Sequence, residues 1–199
     1  MSDLVDAIVN DFFIHAYNAI KNEYNCIRGP LQRNMHFLRS RKANRKWWDF
    51  FYDEEAYVYI IFKGLCLANF QYHVIMEQRH TIINWKKKTG VVDIEICATE
   101  QSDEPIVFIE VKSGFLKDMK KSELIEDMDK LRHLEHVPAG RLRFLMLIVV
   151  GPIEDSLCRK IEEKLGYETY RYLDDISLYI SENGGVKEMR SAVALIKVD

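Results

Sequence analysis

The sequence predicts an α/β fold: a central mixed sheet flanked by helices, with an N-terminal helical extension. Three observations carry this reading. Two strands rich in Val, Ile and Phe, Val91–Ala98 and Ile106–Val111, flank a polar linker, Thr99–Pro105, whose Ser102, Asp103 and Pro105 are turn residues, so a hairpin is expected. A continuous apolar run bounded by turn signals, Arg143–Val150, suits a strand buried on both faces. Apolar residues at three- and four-residue steps mark helices before the hairpin and between it and that run.

Taken in order, residues 3–24 form an amphipathic helix with Leu4, Val5, Ile8, Phe12, Ala16 and Ala19 at helical spacing, and Cys26 to Pro30 breaks it. Residues 31–50 are a basic zone. From Lys21 to Asp49 eight Lys or Arg stand against Glu23 and Asp49, and Trp47 and Trp48 follow the last of them. There Arg39, Arg41, Lys42, Arg45 and Lys46 can contact phosphates beside stacking aromatics, or can form a solvated helix face whose tryptophans plug the core.

Residues 49–70 form the next helix, with Val58, Ile61, Phe62 and Leu65 as its apolar face. Glu54 falls within roughly 30° of the centre of that face and Glu55 about twice as far away. An acid on the buried side of a helix needs a reason, although both also suit the positive helix N-terminus.

Tyr72–Thr81 alternates as a strand, and a turn with Lys86, Lys87 and Lys88 leads into the hairpin. Beyond it Phe115–Glu135 is helical on Leu124, Met128, Leu131 and Leu134; its Lys120, Lys121, Lys130 and Arg132 either line a groove or keep the helix soluble. After the Arg143–Val150 strand come a helix, Glu154–Leu165, and short strands at Tyr167–Tyr172 and Ile176–Ile180. A turn at Asn183-Gly184-Gly185 precedes Ala192–Val198, an edge strand or tail.

A chain of 199 residues, 48% hydrophobic and 30% charged, has the composition of one ordinary globular domain. Its expected parts are a helical extension (1–48), a motif-bearing core (49–150) and a C-terminal helix with edge strands (151–199). The net charge of −3 argues against a surface basic all over, so any nucleic-acid surface is local. Four cysteines lack CxxC spacing, and Cys66 and Cys97 lie in apolar segments, which predicts buried free thiols. With no signal peptide or membrane-length apolar run, an intracellular, cytoplasmic location is expected. The six histidines lack HExxH or other ligand spacing, and GxSxG is absent.

Chemistry concentrates in the hairpin. Asp93 sits inside the first strand between Val92 and Ile94. On the second, Phe108, Glu110 and Lys112 share one face while Val107, Ile109 and Val111 share the other. Carboxylates brought together from neighbouring strands repel, and a divalent cation offsets that cost. A lysine beside them can hold a phosphate oxygen or an activated water. The plainer alternative is a surface hairpin carrying a salt bridge.

Asp93 followed by Glu110-Val111-Lys112 resembles the motif of the PD-(D/E)xK nuclease superfamily, with its restriction-endonuclease-like core; Val92 stands where that motif has proline. Two further [DE]-x-K matches, Asp118-Met119-Lys120 and Glu162-Glu163-Lys164, lie in helix-like sequence without a preceding strand Asp. Asp127-Met128-Asp129-Lys130-Leu131 is similar to a softer signature found after the Glu-x-Lys strand in some branches. The resemblance covers about residues 50–150. It implies a Mg²⁺- or Mn²⁺-dependent nuclease hydrolysing phosphodiester bonds, with DNA favoured over RNA although RNA-cleaving members share the core, and with homodimers allowed. It also implies metal ligands at Asp93, Glu110 and the Val111 carbonyl, Lys112 as the catalytic ammonium, and Glu54, with Glu55 as alternate, reaching the metal from the first core helix. A noncatalytic nuclease-fold protein that binds nucleic acid or a protein is the competing class.

Overall fold

The computed structural model describes residues 2–33, 54–82, 89–99, 104–135, 137, 140–152, 156–182 and 185–199. Within these, four helices and six strands follow the order α1 (Ser2–Arg33), α2 (Glu54–Leu67), β1 (His73–Thr81), β2 (Thr89–Cys97), β3 (Pro105–Phe115), α3 (Lys121–Arg132), β4 (Leu142–Pro152), α4 (Leu157–Leu165), β5 (Thr169–Glu182) and β6 (Gly185–Lys197). The strands form one mixed sheet in the order β1-β2-β3-β4-β6-β5, in which only β3 and β4 run parallel.

Alternation along the central strands builds two cores. Ile109 and Val111 of β3, with Phe144, Met146 and Ile148 of β4, face α1 and α2. Phe108, Leu145, Leu147 and Val149 face α3 and α4. A strand apolar at every position is what burial on both faces requires, and the Arg143–Val150 run has this form.

Helix α1 is part of the first core: Ile8, Val9, Phe12 and Ala16 are fully buried at helical spacing. It crosses α2 where Ala19 meets Gly64; a Cβ on Gly64 would lie 2.2 Å from that of Ala19. Leu4, read as apolar face, is 56% exposed. The break expected at Cys26 to Pro30 does not occur, since α1 continues to Arg33. A proline deletes one helical donor and crowds the preceding turn, a local cost that this long, packed helix accommodates.

Four other expectations change. Strand β3 runs past Val111 to Phe115, because β4 pairs with it through Phe115 and Val150. The two short strands after α4 are one strand, β5, whose register shifts between Leu173 and Ile176. Asp174 and Asp175 occupy that irregularity, where β propensity is lowest. The C-terminal strand is not an edge, for β6 lies between β4 and β5 and its Ala192, Val193, Ala194 and Leu195 are fully buried. Cys97 is buried but Cys66 is exposed, one step around α2 from buried Leu65. The turn residues Asn183 and Gly184 lie outside the described residues.

The sheet is irregular at Asp93. Met76 pairs with Ile94 and Gln78 with Val92, so Glu77 stands opposite Asp93, and Glu77 has φ +54. On one side of this point Ile94 joins the α1/α2 core; on the other, Val92, of the same parity, joins the α3/α4 core. Side chains two apart in a regular strand share a face, so β2 turns over here. Its outer end meets α3 through Lys130, which donates to the Val91 carbonyl, and the neighbouring end of β1 meets the chain just after α3: Ile82 bridges Leu134, and the Glu135 N–H donates to the Thr81 carbonyl at 3.0 Å.

Candidate functional site

The turn in β2 changes how it meets β3. Regular pairing ends at Ile94 and Ile109, and continuing that register sets Asp93 opposite Glu110. There a side chain enters the ladder, as the Val111 N–H donates to Asp93 Oδ2 at 2.7 Å. Asp93 and Glu110 thus meet as neighbours beside the α3 layer.

Helix α3 answers the strand charge for charge. Glu110 and Lys112, two apart on β3, meet Lys130 and Asp127, three apart on α3. Lys130 Nζ forms an ion pair with Glu110 Oε1 and donates to the Val91 carbonyl at 2.8 Å. Lys112 Nζ donates to Glu54 Oε2 at 2.7 Å and lies 3.6 Å from Asp127 Oδ2. Gly90 makes room for the Lys130 stem, since a Cβ there would lie 3.1 Å from Lys130 Cδ and 2.5 Å from Ile82 Cδ1.

Glu110 is 5% exposed and Lys130 8%, so the two form a buried ion pair whenever Glu110 is ionised. Two carboxylate oxygens, Glu110 Oε2 and Asp127 Oδ2, are buried with no hydrogen-bond partner among the described residues. The electrostatics follow from that geometry. Burial, then Asp93, pushes Glu110 up to about 8 against the pull of Lys130. Burial also raises Asp127 to about 6 despite Lys112 and Lys130. Asp93 is raised by burial, opposed chiefly by its Val111 hydrogen bond. Lys112 loses some basicity to burial, but its bond to Glu54 and the fields of Asp127, Glu54 and Glu110 outweigh this and raise it to about 12.

The sequence-predicted residues Asp93, Glu110, Val111, Lys112 and Glu54 are therefore brought together. Glu55 is exposed. Among the described residues no three His, Cys, Asp or Glu groups converge as a metal cluster, and Lys130 shares Glu110 instead. Arg39, Arg41, Lys42, Arg45 and Lys46 lie outside the described residues, as do Trp47 and Trp48.

Sequence reasoning left two members of the site undecided or unnamed. Lys130, read as lining a groove or solvating its helix, is buried on Glu110. Asp127 was legible only as part of a soft signature, although it lies within roughly 70° of the Leu124–Met128–Leu131 stripe. Glu95, 1% exposed and paired with His80, was not singled out. His80 in turn packs edge-on to Phe108, two residues before Glu110 on β3.

The donor set fits a hard divalent cation. The oxygens available for it are those of carboxylates, and one of them, Glu110 Oε2, is buried without a hydrogen-bond partner among the described residues. Four carboxylates (Asp93, Glu110, Glu54, Asp127) face two ammoniums, an excess of two negative charges when all are ionised. Compared with known proteins, the chain matches no family model, no curated protein and no solved structure.

Proposed function

We propose that this protein is a metal-dependent nuclease of the PD-(D/E)xK type, hydrolysing phosphodiester bonds in nucleic acid, with DNA the first substrate class to test. The observation that carries the reading is the meeting of Asp93, Glu110 and Lys112 across β2 and β3, with Asp93 bonded to the backbone between Glu110 and Lys112. A restriction-endonuclease-like core is supported by the strand, hairpin, helix and parallel-strand order around those residues.

Asp93, Glu110 and the Val111 carbonyl would hold Mg²⁺ or Mn²⁺, with Glu54 joining from the start of α2. When bound, such an ion supplies Lewis acidity toward water and a phosphate oxygen. Lys112 holds its proton at neutral pH, because its partners raise it to about 12, so it acts as a fixed positive charge. That charge orients the nucleophile or binds the scissile phosphate. Glu54 and Asp127 hold the ammonium in position until a phosphate competes for it.

One observation favours the noncatalytic reading: both ammoniums already have carboxylate partners. The deciding experiment incubates the protein with single-stranded, double-stranded and branched DNA and with RNA, with Mg²⁺ and Mn²⁺ in separate reactions. Cleavage that disappears in chelator supports the nuclease. Binding without cleavage of any substrate moves the assignment to the binding class.

A further inference from the structure

Glu110 carries two contradictory features. One oxygen is clamped by Lys130, and the other is buried without a partner among the described residues. Removing one partner of a buried ion pair leaves an uncompensated charge, so Lys130 can leave Glu110 only as another cation takes its place and only if the ammonium finds a new counter-charge. The place for a displaced ammonium is also present. Asp127 lies one turn before Lys130 on the same helix, at the three-residue spacing from which side chains meet. Its Oδ2 is buried and accepts no hydrogen bond among the described residues; it lies within the field of Lys130, and its one ion pair, with Lys112, is long at 3.6 Å.

The geometry points to Lys130 as a tethered counter-cation: it occupies Glu110 in the metal-free protein and passes to Asp127 when a divalent cation takes Glu110. The inference rests on the metal-site reading above and names what regulates that site. The exchange keeps every charge compensated. Glu110 trades an ammonium for a divalent ion, and Asp127 gains the ammonium that Glu110 releases. The other bond Lys130 gives up is to the carbonyl of Val91, a residue 37% exposed, so water can replace it. Lys130 therefore sets metal affinity as a positioning residue, and Asp127 acts through it rather than as a ligand.

The test is calorimetric titration with Mn²⁺ alone, with a thermal melt of each variant. Lys130→Met keeps the stem and removes the competitor, so affinity should rise about tenfold or more. Lys130→Arg keeps the charge and grips a carboxylate with two donors, so it should bind no tighter than wild type. Asp127→Asn removes the landing place and should weaken binding. In the double variant Lys130→Met, Asp127→Asn, the Asp127 change should have no further effect, because nothing remains to be displaced.

Affinity of Lys130→Met equal to or below wild type would overturn the inference while leaving the metal site standing. So would a double variant weakened by the full Asp127→Asn effect, which would make Asp127 a ligand. Should Lys130→Met fail to fold, Asp127→Asn decides alone, and unchanged Mn²⁺ affinity there overturns the exchange. No binding by wild type and Lys130→Met alike defeats the metal-site reading itself.

Discussion

The Asp93 carboxylate accepts the Val111 N–H at 2.7 Å, in the place where a β2 carbonyl would ordinarily complete the ladder. One residue thus serves two purposes, closing the sheet where it turns over and presenting a carboxylate beside Glu110. Substitutions at Asp93 must be chosen to separate them.

Asp93→Asn retains an acceptor oxygen for Val111 but loses the charge. We expect it to melt close to wild type and to lose Mn²⁺ binding in calorimetry. Asp93→Ala should lose binding and also about 1–3 kcal/mol of stability, because it leaves a buried N–H unsatisfied. Equal Mn²⁺ binding by wild type and Asp93→Asn would remove Asp93 from the ligand set.

Lys112→Ala should reduce cleavage by orders of magnitude while changing Mn²⁺ affinity little, since the ammonium is not a ligand. Its loss also frees Glu54 and Asp127, so a modest change in melting temperature is expected. Activity surviving in this variant would point to another site or a contaminant.

The metal-free protein should be less stable at pH 8 than at pH 5. Folding raises Glu110 from 4.5 to about 8 and Asp127 from 3.8 to about 6. Over that window the folded chain holds protons that the unfolded chain has released, so stability is full at the acid end and is lost as pH rises through the folded values. Glu110→Gln should flatten the fall in melting temperature, and Mn²⁺ should raise it more at pH 8 than at pH 5, because ligation needs the deprotonated acid. A melting temperature that climbs over this range would contradict the burial of these groups.

Gly90→Val should be costly without touching any charged atom. Its side chain would meet Ile82 and the Lys130 stem, and overpacking of this kind costs about 1–3 kcal/mol. Chemical denaturation would read it. A neutral result would mean that the outer end of β2 is not held against α3.

The basic zone gives a separate expectation. If it contacts phosphates, replacing Arg41, Lys42 and Arg45 by Gln should flatten the salt dependence of nucleic-acid affinity. An unchanged slope returns those residues to a solvated helix face.

What the sequence disclosed, and what it withheld, divides along the range of the interactions involved. The hairpin and the apolar β4 run were legible because alternation and burial are written in neighbouring residues. Glu54 was legible as an acid on the wrong side of a helix. Lys130 was not, because a lysine looks solvated until a distant glutamate is known to stand beneath it. Asp174-Asp175 broke β5 into two readings because turn-forming residues also occupy irregularities inside strands. The place of β6 depends on pairing with β4, which no local pattern encodes.

The parallel pairing of β3 and β4 has a consequence for how the molecule is assembled in time. Glu110, Lys112, Asp127 and Lys130 all lie on the single strand–helix–strand crossover that this pairing closes. Their mutual contacts are then expected to form together, with the docking of α3 as β4 joins β3, whereas Asp93 and Glu54 lie on separate segments. Native-state hydrogen exchange should find the amides of β3 and β4 opening together, with the outer end of β2 able to fray alone. The paired charges would then be inherited as a block, and a homologue that lost one would be expected to have lost its partner.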